Sequence, residues 1–306
     1  MENKRPILVT GSHRSGTSWF GEMLSLSPEI GSIWEPFNMY HRAGICRSKF
    51  DVWYPYVAQH NGVLHKNALQ DCMSFKYSLG AEIPTIKTLY DLARMGKDLL
   101  RFEYLRLSNK RPLLKDPIAF FSAEWLAETF DMQVAVLVRH PAAFVSSLKI
   151  KDWQYPFEHF LKQPHLIEAK LLAFRDEINS FVREPRDIID QACLLWRMIY
   201  TVAREYEQKH PDWLVLRHET ISLDPEVGFA SVYDFLQMEY TDAIKANIQK
   251  FTGAQNPGER VRARSVQRNS RENIFNWKKR LTADEIERVF GDTQRVASHW
   301  YTAADW

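Results

Sequence analysis

The chain has 306 residues and a mass of 36.0 kDa, with 40 Lys+Arg against 38 Asp+Glu and a formal net charge of +2. A content of 45% hydrophobic and 25% charged residues suits a globular protein with a sizeable core, and excludes a disordered, collagen-like or repeat chain. The near-neutral balance excludes a broad basic field, so sequence-independent binding of nucleic acid is not expected and an anionic partner must be held locally. No apolar run exceeds five residues, which is too short to cross a bilayer. Cys46, Cys72 and Cys193 are odd in number and irregularly spaced; they fit neither a disulfide framework nor a zinc site and read as reduced structural thiols. Residues Met1 to Arg5 are polar and run straight into Ile7-Leu8-Val9, leaving no room for a secretory leader. The expectation is a cytoplasmic protein without a membrane partner.

In chain order, short apolar strands alternate with helices. Strand Ile7–Thr10 is followed by a helix over Thr17–Leu26, closed by Ser27-Pro28, and a short strand ends at Glu35. Strand Leu113–Leu114 precedes a helix over Ser122–Phe130, and strand Gln133–Val138 a helix over Ala142–Lys149. A long helix over Asp187–His210, a strand over Trp213–Leu216 and a helix over Val227–Leu236 follow; Thr282-Ala283-Asp284-Glu285 is a capping box that opens a last helix toward Trp300. The strands are apolar without alternation, as burial on both faces of a parallel sheet requires. The pattern predicts an α/β three-layer sandwich, a mostly parallel sheet of four to five strands flanked by helices, in one domain over residues 1–306. Residues 40–110 and 151–186 break the alternation and are rich in Trp, Tyr, Phe, His and Pro; they are expected to be helical or looped insertions that form the acceptor pocket. Segment 259–280 carries Arg260, Arg262, Arg264, Arg268, Arg271, Lys278, Lys279 and Arg280 against Glu259 and Glu272, a basic stretch on an otherwise acidic body.

The sharpest local signal is Gly11-Ser12-His13-Arg14-Ser15-Gly16-Thr17-Ser18, between the first strand and the first helix. Glycines permit a tight turn there, and the N–H groups of the helix start then face an anion. The Gly-x-x-x-x-Gly spacing is that of a phosphate loop, but Thr17 stands where a nucleotide triphosphatase places lysine, and the basic group is Arg14, inside the loop.

With these residues in hand, the chain resembles the sulfotransferases that use 3′-phosphoadenosine-5′-phosphosulfate (PAPS). Arg14-Ser15-Gly16-Thr17-Ser18-Trp19 is similar to their 5′-phosphosulfate loop. Val136-Leu137-Val138-Arg139-His140-Pro141, with Ser147 eight residues after Arg139, is similar to their 3′-phosphate site. Arg217-His218-Glu219-Thr220, Asp224-Pro225 and Tyr233-Asp234-Phe235-Leu236 resemble a scaffold segment, and Ser270-Arg271 ahead of Trp277-Lys278 resembles a C-terminal loop closing on the 3′-phosphate. The resemblance implies a P-loop-like sulfotransferase fold. It also implies PAPS as sulfuryl donor, adenosine 3′,5′-bisphosphate (PAP) as product, no metal requirement, and a small-molecule acceptor such as a metabolite or natural product.

The resemblance further implies roles. His13, Arg14, Ser15, Gly16, Thr17 and Ser18 hold the 5′ end, and Arg139, Ser147, Ser270, Arg271, Trp277 and Lys278 the 3′-phosphate and adenine, with Ser265 competing for the C-terminal contact. Arg14 stabilises charge on the bridging oxygen. Glu35, in Ile33-Trp34-Glu35-Pro36-Phe37, is the expected general base, as in the glutamate-base branch that includes tyrosylprotein and carbohydrate enzymes; its apolar neighbours would raise its pKa. Lys115, in Leu113-Leu114-Lys115-Asp116-Pro117, stands where that branch carries a second cation. The competing readings are an ion-paired surface Glu35, a structural Lys115–Asp116 contact, and Trp277 packed in the core. For the whole chain, the alternatives are a P-loop small-molecule kinase and a non-catalytic nucleotide- or RNA-binding module using the basic segment 259–280. Oligomeric state is not legible.

Overall fold

The computed structural model describes residues 5–184, 186–258 and 267–306. The expected alternation is present. Strand β1 (Ile7–Gly11) is followed by α1 (Thr17–Leu24) and β2 (Ile30–Trp34). Two longer helices, α2 (Gln59–Met73) and α3 (Leu89–Leu107), precede β3 (Arg111–Lys115). Then come α4 (Ala123–Phe130), β4 (Gln133–Val138), α5 (Pro141–Lys151), α6 (Ile188–Lys209), β5 (Leu214–Arg217), α7 (His218–Leu223), α8 (Pro225–Phe235) and α9 (Ala283–Ala297), with short helical turns between them. The five strands form one parallel sheet in the order β2-β3-β1-β4-β5, flanked by helices, which is the α/β class predicted. Ile7, Leu8 and Val9 of β1 and Val134 to Val138 of β4 are fully buried, which is why these strands read as continuous apolar runs.

Residue contacts divide the chain into two compact units, Met1–Thr10 with Pro28–Val134, and Gly11–Ser27 with Ala135–Trp306. In the first unit, β3 pairs with both neighbours, Val9 facing Lys115 and Trp34 facing Lys115. Residues 40–110 are helical and looped with no strand among them. Cys46 and Cys72 are buried free thiols here, as Cys193 is in the second unit. In the second unit, α6 packs on α5 and α9, through Leu194, Leu195, Met198 and Ile199 among other buried residues. The predicted capping box exists: Thr282 Oγ1 accepts from the Glu285 N–H, and Glu285 accepts from the Thr282 N–H. Arg260, Arg262, Arg264 and Ser265 of the expected closing loop lie outside the described residues.

Candidate functional site

In the first unit, β2 ends at Trp34 and the next residue, Glu35, takes a left-handed conformation (φ 51°) while its N–H still bonds the Lys115 carbonyl at 2.9 Å. The kink turns the Glu35 carboxylate back over the end of β3, where Oε1 pairs with the Lys115 ammonium. Lys115 is 1% exposed and lies 4.7 Å over the Trp34 ring, a site where a cation needs a partner. Oε2 accepts from Asn38 Nδ2 at 3.0 Å. Glu35 remains a third exposed, so the ion pair has one member in the interior and one facing outward.

Asp116 fixes this corner. Its fully buried carboxylate accepts from the N–H groups of Phe37 (2.7 Å), Ile118 (2.9 Å) and Ala119 (3.2 Å), and its backbone is tied to Val9 and Thr10 of β1. Burial, with the charge of Glu35 behind it, pushes the Asp116 carboxyl up to about 7, while the Phe37 N–H and the Lys115 charge pull it down. The Lys115–Asp116 contact expected from sequence as a structural alternative is replaced by a division of labour: Lys115 pairs with Glu35, and Asp116 holds the backbone on either side.

In the second unit, the loop after β1 is shaped by two glycines. A Cβ at Gly11 (φ 144°) would stand 2.5 Å from the Leu137 carbonyl oxygen, and one at Gly16 (φ 98°) 2.2 Å from the His218 ring, so no larger side chain fits either place. Gly16 is the N-cap of α1 and provides no side-chain cap, and no acidic residue occupies the first turn; the helix start is left to receive an anion. Between the glycines, Arg14 also has a left-handed backbone (φ 66°). Its Nε donates to Ser147 Oγ at 2.9 Å, its guanidinium lies 5.9 Å over Trp153, and its carbonyl accepts from Arg139 Nη1. Ser12 Oγ meets Tyr200 Oη at 2.8 Å, and that hydroxyl also accepts from the Arg139 N–H at 3.1 Å.

Among the described residues, buried Ser15 Oγ and Arg139 Nε at this loop have no hydrogen-bond partner. Burial also lowers the Arg139 pKa, against the nearby Glu219 charge. Orphan donors in the interior cost stability unless a ligand takes them, and an anionic oxygen at the loop would satisfy both.

The described C-terminal residues have other immediate partners. Ser270 Oγ donates to the Ser222 carbonyl (2.7 Å) and Arg271 Nε to that of Leu223 (2.6 Å), so both bind α7, the helix that carries His218. Trp277 is 3% exposed and stacks on His140 at 5.1 Å. Lys278 Nζ donates to the Trp306 carbonyl at 3.0 Å. His13 packs edge-on against Phe144 and Trp153, while Thr17 is buried in the first turn of α1 and Ser18 follows it half-buried. Of the residues singled out from sequence, the fold thus brings together Arg14, Ser15, Gly16, Arg139 and Ser147 in one unit, and Glu35 with Lys115 in the other. No group of His, Cys, Asp and Glu among the described residues is arranged to hold a metal ion, and no described helix is long and apolar enough to cross a membrane.

A sulfotransferase family model matches residues 6–242. The chain belongs to the sulfotransferase family. Among solved structures, it is similar to a sulfotransferase domain from the curacin biosynthetic pathway, at 15% identity with 96% of each chain covered and a TM-score of 0.52. It is also similar to the sulfotransferase domain of the Synechococcus PCC 7002 olefin synthase, at 14% identity, 99% and 97% coverage and a TM-score of 0.50. At these identities the likeness is one of fold. No curated protein matches.

Several residues given no role in the site from sequence also shape it. Asn38 and Asp116 act on Glu35 and its flanking backbone, Tyr200 braces Ser12 and Arg139, and His218 closes against Gly16. Glu219 accepts from the His140 N–H (3.0 Å) and from Tyr301 Oη (2.8 Å). For Asp116 a hint existed, since a carboxylate at a strand end before proline is a frequent turn anchor. His218 and Glu219 fall in the segment whose resemblance marked it as scaffold, while Asn38 and Tyr200 are recognisable only by what they touch.

Proposed function

We propose that this sulfotransferase transfers a sulfuryl group from PAPS to a hydroxyl or amine of a small-molecule acceptor, a metabolite or natural product, with Glu35 as general base. The observation that carries the reading is the Arg14–Ser147–Arg139 cluster at an uncapped helix start, with Ser15 Oγ and Arg139 Nε buried and unpartnered. The donor, when bound, supplies an activated sulfuryl group on a phosphate. The residues present fit such a group: the N–H groups of Gly16 to Ser18 and the dipole of α1 bind the 5′-phosphate, and Arg139 and Ser147 bind the 3′-phosphate.

Arg14 then has two tasks, orienting Ser147 through Nε and presenting its guanidinium charge to the bridging oxygen. Glu35 removes the acceptor's proton. Neutralising that carboxylate leaves the Lys115 ammonium without its counter-charge, so base and cation act as one unit. The half-exposed Trp153 beside Arg14 is suited to border the acceptor.

Calorimetric titration with PAP, followed by turnover with PAPS and a panel of alcohols, phenols and amines, tests the reading. PAP binds, adenosine 5′-monophosphate binds at least tenfold more weakly, and Arg139→Ala removes the difference between them. Binding of magnesium–ATP in preference to PAP would overturn it in favour of a kinase.

A further inference from the structure

Helix α3 is apolar on two opposite faces. Phe102 and Leu105 are buried, at 0% and 7% exposed, whereas Leu89 (85%), Leu92 (48%), Leu100 (72%), Tyr104 (61%) and Leu107 (80%) stand in water. At about 100° per residue these five, with Ala93, Gly96 and Glu103, lie within roughly 60° of one direction, opposite to Phe102 and Leu105. Glu103 is the charged residue of the stripe and pairs with Arg106 one turn on. The five large side chains leave on the order of 600 Å² of apolar surface per chain, beyond what scattered surface leucines produce.

The stripe reads the same in both directions. Reversing α3 about its midpoint, Asp98, sets Leu89 against Leu107, Leu92 against Tyr104, Ala93 against Glu103 and Gly96 against Leu100. Gly96 gives the second observation. A Cβ built on it meets nothing within 4 Å, and mid-helix glycine costs about 1 kcal/mol relative to alanine, so no neighbour among the described residues accounts for it. Opposite Leu100 of another copy, the glycine is the hole that receives a knob, twice over by symmetry.

We propose that α3 is a homodimer interface, paired antiparallel with α3 of a second copy about a two-fold axis near Asp98. The pair would bury about 1,200 Å², the lower end of a specific interface, and an isologous contact requires this self-matching pattern. A lipid surface fits less well: α3 carries four basic residues (Arg94, Lys97, Arg101, Arg106) against three acidic (Asp91, Asp98, Glu103), without the cationic excess of membrane-surface helices.

Sedimentation velocity on the full chain from low to high micromolar concentration tests this. The chain dimerises, and both Leu100→Glu and Gly96→Leu weaken the dimer at least tenfold. Gly96→Leu does so without lowering the thermal midpoint of the monomer, since leucine is the better helix former. On air oxidation a mixture of Leu89→Cys and Leu107→Cys chains cross-links, and neither variant does so with itself. A chain that stays monomeric, a dimer indifferent to both substitutions, self-linking of Leu89→Cys, or a monomer whose stripe instead binds anionic phosphatidylserine vesicles would each overturn the proposal.

Discussion

Arg14 and Glu35, the two residues given the chemistry, both hold a left-handed backbone, at φ 66° and 51°. Other non-glycine residues in that region include Asp131 and Asp152, which terminate helices, where the conformation has a local use. Arg14 and Glu35 have no such excuse, and backbone strain of about 1 kcal/mol or more at each is tolerated because it aims a side chain. Two outcomes follow. Arg14→Gly and Arg14→Ala lose PAP affinity alike, but denaturant unfolding finds the glycine variant more stable by about 1 kcal/mol, because alanine keeps the strain. Glu35→Gln lowers kcat by about 10²–10⁴ at unchanged PAP affinity, and Asn38→Ala, which removes a hydrogen bond to Oε2, lowers kcat about tenfold. Full kcat in Glu35→Gln would remove it as the base.

At the scale of elements, the loop and α1 act as one piece. Gly16 closes on His218 of α7, Ser12 on Tyr200 of α6, and the Arg14 carbonyl on Arg139 beyond β4, so the proposed anion site is assembled by four elements. Gly16→Ala must push aside a fully buried ring and take φ 98° with a Cβ; a loss of about 2–3 kcal/mol by denaturant titration, with loss of PAP binding, is expected. Strand positions were legible because burial on both faces removes alternation, and the loop because glycine and serine have few other uses between a strand and a helix. The destinations of Ser270, Arg271 and Trp277 were not, since hydroxyls, guanidinium groups and indoles serve packing and phosphate binding equally well. The α3 stripe was illegible for another reason: with apolar residues on two faces, periodicity does not say which face is buried.

For the whole molecule, pH dependence follows from buried histidines and one buried carboxyl. Burial among Trp277, Tyr301 and Trp306 lowers His140 to about 3 and, at a different place, burial holds His218 well below its ordinary value. In the unfolded chain both titrate near 6.5, so the stability they contribute is present above that pH and is lost as pH falls below it, for His140 by about 1.4 kcal/mol per unit down to about 3. Asp116 works the other way: its pKa is raised to about 7, so its contribution is present below about 4 and is lost as pH rises through 7. Denaturant midpoints between pH 6.5 and 4.5 should show a shallower loss for His140→Phe than for the native chain, by about 1.4 kcal/mol per unit; equal slopes would mean that His140 does not report on folding.

By itself the sequence determined the alternation of strands and helices, the Gly-x-x-x-x-Gly loop with arginine inside it and no lysine after it, and the sulfotransferase family to which these motifs belong. All of these are short-range patterns, written within a few residues of one another. Only the tertiary structure decided that Lys115 answers Glu35 from 80 residues away, that Asp116 anchors backbone rather than pairing with its neighbour, that two donor atoms at the loop stay buried and unpaired, and that α3 turns a second apolar face to water. Those are matters of which surfaces meet after the chain has folded, and a linear pattern carries the residue types but not their partners.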